Sequence, residues 1–68
     1  MVTQTKFALQ MSEFVGGSAA INRKELAAFL GYRDPKSVDR YLDPLRKIGN
    51  RYLIEDVTEE IFRRMSWT

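Results

Sequence analysis

Asn22-Arg23-Lys24-Glu25-Leu26-Ala27-Ala28-Phe29-Leu30-Gly31-Tyr32-Arg33-Asp34-Pro35-Lys36-Ser37-Val38-Asp39-Arg40-Tyr41-Leu42 is the stretch from which the fold can be read. Asn22 is a favoured helix N-cap, and Glu25 stands three residues on, where its side chain can reach back to the amide of the cap. Leu26, Phe29 and Leu30 make an apolar stripe, widened by Ala27, and Gly31 can take the left-handed conformation that ends a helix. These signals predict a two-turn helix over 23–30. Asp34-Pro35 opens a second one, because Asp caps well and Pro suits a first position whose N–H has no partner in any case. Val38, Tyr41, Leu42 and Leu45 share one arc of its wheel, and Lys36, Ser37, Asp39, Arg40 and Asp43 share the other. Pro44 removes an amide donor and biases Asp43 away from helical angles, so this helix should end near residue 42 or 43. Only Tyr32 and Arg33 separate the two. Short helices joined by a tight Gly-containing turn form the helix-turn-helix pattern, which also occurs in helical hairpins with no nucleic-acid role.

Downstream, Gly49-Asn50 flanked by β-prone residues reads as a two-residue hairpin turn. In that register Ile48 faces Arg51, Lys47 faces Tyr52, Arg46 faces Leu53 and Leu45 faces Ile54. A last helix is expected to open at Asp56, with Glu59 at the capping-box spacing and Val57, Ile61, Phe62 and Met65 as its buried stripe. Glu59–Arg63 and Glu60–Arg64 are i,i+4 pairs in the favourable order. Acids at its start and arginines at its end suit the helix dipole, so its charges need no ligand. Upstream, Phe7, Ala8, Met11, Phe14 and Val15 lie on one helical face, with Leu9 off it. A helix is expected over about 6–15, ended by Gly16, with residues 2–5 able to extend as a short strand. Gly16-Gly17-Ser18 is the one flexible-looking joint. Trp67 either frays or folds back over the core.

The 68 residues make one domain, with 1–17 as N-terminal helix and joint and 22–65 as the main body. Apolar residues are 44% and charged residues 29%, which fits a globular chain. There is no cysteine and no histidine, which removes disulfides, thiolate sites, and the commonest general base and metal ligand. A self-contained enzyme is therefore not expected, and neither is a cofactor. Asp39 and Asp43 lack the third ligand that a metal site needs. With no apolar run of membrane length and no leader pattern, the expected location is the cytoplasm.

Net charge is +2 and unevenly placed. Residues 1–20 balance to zero, residues 21–54 carry eight Lys/Arg against four acids, and residues 55–68 carry two Arg against four acids. A basic middle suits either an anionic partner there or an ordinary solvated surface.

The order of elements over 22–65 resembles the excisionase-like winged helix-turn-helix domains, relatives of the MerR-type DNA-binding domain. The carrying residues are Glu25-Leu26-Ala27 with Leu30-Gly31, Val38-Asp39-Arg40-Tyr41-Leu42, Lys47-Ile48-Gly49-Asn50-Arg51-Tyr52 and Asp56-Val57. The resemblance implies a mostly α fold with a small β-hairpin: a winged helix-turn-helix with an extra N-terminal helix. It implies a recognition helix in the major groove and a wing along the backbone or minor groove. It also implies excisionase work, steering a recombinase by binding and bending DNA, or transcriptional repression. Partners would be double-stranded DNA and either a site-specific recombinase or a second copy, with no membrane and no small-molecule substrate. Three features depart from the family pattern. Asp39 and Asp43 repel phosphate unless Lys36 and Arg40 pair with them, Leu53 and Glu55 replace basic residues, and the link from Leu42 to the hairpin is short. The alternative is a phage or mobile-element interaction module, an adaptor or anti-repressor, on the same fold.

The candidate contacts follow from side-chain type and position. Arg40 is expected at a guanine edge or phosphate, with Lys36 and Ser37 beside it on phosphate or bases, unless these form an ordinary polar face. Lys47, Asn50 and Arg51 at the hairpin tip are expected to contact the backbone or else to serve as edge-protecting charges, and Arg23, Lys24 and Arg33 flank the helix-turn-helix as further candidates. Tyr41 and Tyr52 are read as core or boundary residues rather than stacking groups.

Overall fold

The capping signals around Asn22 act as their chemistry requires. The Asn22 side chain accepts from Glu25 N–H at 2.7 Å, and Glu25 Oε1 accepts from Asn22 N–H at 3.0 Å. In the computed structural model, which describes residues 3–65, the resulting helix covers Arg23–Leu30. Gly31 closes it at φ 87°, a backbone region open to glycine at little cost. Gly31 N–H then bonds Ala28 O, and Tyr32 N–H bonds Ala27 O, the paired closure of a Schellman motif.

The chain order is α1 (Gln4–Phe14), β1 (Ala20–Ile21), α2 (Arg23–Leu30), a 3-10 turn (Pro35–Val38), α3 (Asp39–Leu42), β2 (Tyr52–Leu53) and α4 (Ile54–Met65). The fold is mostly helical, with one two-stranded antiparallel sheet. No described helix is long and apolar enough to cross a membrane.

Two expected helices change shape at their starts. Asp34 caps the 3-10 turn through Lys36 N–H at 3.0 Å, and Ser37 N–H bonds Asp34 O at 3.0 Å. The entry is a 3-10 turn, and α-helical geometry begins only at Asp39. At the other end of the chain, α1 begins at Gln4 rather than near residue 6, because Thr3 Oγ1 accepts from Lys6 N–H. Gln4 and Thr5 are therefore helical, not strand; Val2 and Trp67 lie outside the described residues.

The hairpin forms at its tip only. Ile48 and Arg51 exchange both backbone bonds, at 2.8 and 3.0 Å, around Gly49. Gly49 has φ 63°, and among the described residues none other than glycine has positive φ, which matches a type II′ turn. Beyond the tip the expected ladder is replaced. Tyr52 and Leu53 pair with Ile21 and Ala20, not with Lys47 and Arg46, and Ile54 enters α4 instead of facing Leu45. Ile54 N–H donates to Ala19 O at 2.9 Å, satisfying an amide that a helix start would otherwise orphan. That bond is why α4 begins two residues before Asp56, which lies inside the first turn instead of capping it.

Met11, Ile21, Leu26, Ala27, Val38, Leu42, Ile54, Val57 and Ile61 form a single buried cluster. Residues from α1 to α4 contribute, so the N-terminal helix belongs to the core. Phe29 and Leu30 are only half-buried, and Met65 and Phe14 are largely exposed, against expectation. Phe14 still packs edge-on to Phe29, at 5.4 Å between ring centroids. Phe7 meets Phe29 at 5.5 Å and Phe62 at 5.3 Å, both edge to face, which joins α1, α2 and α4. Such pairs contribute about 0.5–1.5 kcal/mol each beyond the area they bury. The Gly16-Gly17-Ser18 joint is tied rather than loose: Gly17 N–H bonds Ser12 O, and Ser12 Oγ bonds Ser18 O, both at 2.8 Å.

Leu26 is fully buried, so Leu26→Ala should destabilise the domain by about 2–5 kcal/mol. Leu30→Ala, at a half-buried site, should have a distinctly smaller effect. Urea unfolding of the two variants side by side checks the order.

Candidate nucleic-acid interface

Each of the nine residues singled out from sequence is solvent-exposed: Arg23, Lys24, Arg33, Lys36, Ser37, Arg40, Lys47, Asn50 and Arg51. Lys24 lies in the first turn of α2, Arg33 in the connecting turn, and Lys36 and Ser37 on the 3-10 turn. Arg40 is in α3, and Lys47, Asn50 and Arg51 surround the hairpin tip.

Ion pairing divides them. Arg23 holds Asp39 through two bonds, Nε to Oδ1 at 2.7 Å and Nη2 to Oδ2 at 2.9 Å, bridging the start of α2 to α3. Asp39 is thus neutralised by Arg23 and not by Lys36 or Arg40. Arg51 Nη1 bonds Glu25 Oε1 at 3.1 Å, fastening the hairpin tip to the capping box of α2. Lys24, Arg33, Lys36, Arg40 and Lys47 pair with no carboxylate among the described residues, and neither does Arg46. An arginine and two lysines on the 3-10 turn, α3 and the tip therefore keep their full charge toward solvent.

Arg40 leans on its neighbour, with its Cζ 5.1 Å from the Tyr41 ring centroid. The phenol groups of Tyr32 and then Tyr41 hold its guanidinium above its ordinary range, so it is charged at any working pH. Tyr41 and Tyr52 are both half-buried boundary residues.

Arg63 pairs with Glu60, not Glu59: its Nη2 lies 2.7 Å from both carboxylate oxygens. Arg64 Nε reaches the same carboxylate at 2.7 Å. The Glu60 side chain is only 7% exposed and needs donors from the protein, whereas Glu59 is exposed and solvated. Sequence reasoning also missed that Arg64 approaches Tyr41, with its Cζ 5.7 Å from the ring centroid. A residue already explained by a partner on its own helix gave no signal of a neighbour 23 positions away. The arrangement presents exposed cations with the Ser37 hydroxyl and the Asn50 amide as further donors.

No family model, curated protein or solved structure matches this chain.

The Arg63 hydrogen bonds, reinforced by Arg64, hold the Glu60 carboxyl below the usual carboxylate range. A depressed folded pKa stabilises the fold above the unfolded value of about 4.3, and that contribution disappears as pH falls through the folded value. Glu60→Gln should therefore melt below wild type at neutral pH, with the gap closing in strong acid. Thermal melts from about pH 2.5 to 7 test this.

Proposed function

We propose that this chain is a sequence-specific DNA-binding protein of excisionase or small-repressor type, built as a winged helix-turn-helix with an added N-terminal helix. In this reading the 3-10 turn and α3 enter the major groove, and the hairpin tip is the wing on the backbone. The observation that carries it is the free charge on that polar face: Lys36 and Arg40 have no carboxylate partner among the described residues, while Asp39 is drawn off by Arg23. The basic surplus over residues 21–54 supports the same partner. No catalysis is proposed. The protein works in the cytoplasm beside a site-specific recombinase or a second copy of itself on the DNA of a phage or mobile element. Leu9 and Phe14, both more than half exposed on α1, favour a second reading as an adaptor or anti-repressor.

Arg's forked donors match the acceptors on a guanine edge. Arg40→Ala should weaken binding to the preferred site by about 1–3 kcal/mol and flatten discrimination between sites. Arg51→Ala should weaken all duplexes about equally and reduce the salt slope by about one. For wild type that slope should be roughly −4 to −5, from four to six phosphate contacts at about 0.9 each. Fluorescence anisotropy on duplexes from the gene's own locus and on scrambled ones measures all three. Binding indifferent to salt, or discrimination untouched by Arg40→Ala, would favour the adaptor reading.

A further inference from the structure

Arg64 belongs by sequence to a salt bridge within its own helix, yet the fold carries it beside Tyr41 of α3. Its Cζ and that of Arg40 both stand within about 6 Å of one ring, Tyr41, which is cation–π range. The three residues line one shallow open recess. Glu60 anchors Arg64 through Nε alone, so its two terminal nitrogens have no partner among the described residues, and its side chain is 40% exposed. Arg63 differs, because Nε and Nη2 are both directed at Glu60. Glu60 thus orients Arg64 without consuming it. Two like charges are held against one ring with no carboxylate on Arg40, and a bound anion would relieve their repulsion.

We propose that the recess between Arg40, Tyr41 and Arg64 seats a backbone phosphate of DNA. The terminal nitrogens of Arg64 bond the phosphate oxygens, a geometry that a guanidinium fork matches. Arg40 adds its charge to the seat as it passes toward the groove. This rests on the DNA-binding reading above and extends the contact surface to α4, whose charges otherwise serve only the helix itself.

The test compares Arg64→Gln with Arg63→Gln by fluorescence anisotropy on preferred and scrambled duplexes across a salt series. Both variants take a donor from Glu60, but only the first removes the seat. Arg64→Gln should lower affinity about tenfold on every duplex and reduce the salt slope by about one, while Arg63→Gln leaves both near wild type. Arg64→Lys keeps the charge and a donor for Glu60, and circular dichroism reports whether each variant is folded. It should retain the wild-type slope and lose severalfold in affinity for want of the fork. If Arg64→Gln binds as tightly as Arg63→Gln, or Arg64→Lys matches wild type, the seat is overturned and DNA binding stands. If wild type binds no duplex, the DNA reading falls and the seat with it.

Discussion

Ala20-Ile21 against Tyr52-Leu53 is the junction on which the rest of this fold depends. Two residues per strand would not persist alone in water. Here each strand runs straight into a helix: Ile21 is followed by the Asn22 cap of α2, and Leu53 by Ile54 at the head of α4. The Ile54–Ala19 hydrogen bond extends the pairing by one step and fixes where α4 starts. Both helices therefore leave one point, with Ile21 and Ile54 buried at its base, and Met11 of α1 joins the same core. The sheet persists because the core pins it, and the core is assembled because the sheet sets the origin of two of its helices.

The charges divide between scaffold and surface. Asp39, Glu25 and Glu60 each hold at least one arginine, and each pair ties local structure together. Exposed pairs such as Arg23–Asp39 contribute at most about 1 kcal/mol to stability. Their larger consequence is the shape of the field. Asp39 and Glu25 are covered by arginines, whereas the exposed Asp34 and Asp43 pair with no cation among the described residues, and the lysines with Arg33, Arg40 and Arg46 pair with no carboxylate there. The positive charge beside Lys36 and Arg40 is thus offset in part by Asp34 and Asp43.

Local chemistry was legible in the sequence wherever a residue type dictates its own backbone. The Asn22–Glu25 capping box, the Gly31 stop, the Asp34-Pro35 start and the Gly49-Asn50 turn stand where they were expected. What was not legible was non-local. Tyr52-Leu53 looked like the return arm of a hairpin because Lys47 and Arg46 are its sequence neighbours, and nothing in Ala19-Ala20-Ile21 announces a strand. The start of α4 depends on that pairing, since Asp56 is a good cap only if the chain is not already helical. The exposed positions of the candidate contacts followed from periodicity. Which of them are free did not, because Arg23–Asp39 and Arg51–Glu25 span 16 and 26 residues, and Arg64 reaches Tyr41 only through the tertiary fold.

The shared oxygen of Glu25 has a consequence of its own. Oε1 receives Asn22 N–H and Arg51 Nη1 together, so helix capping and hairpin orientation are thermodynamically coupled, and substitutions at positions 22, 25 and 51 will not combine additively. The same carboxylate acts as a placeholder. It ties the Arg51 side chain to one partner, so part of the rotamer entropy that any anion would have to remove is already gone before the anion arrives. Exchange of the carboxylate for another anion would return Oε1 wholly to Asn22 and leave the cap intact. One carboxylate oxygen thus ties the hairpin tip to the N-terminal cap of α2.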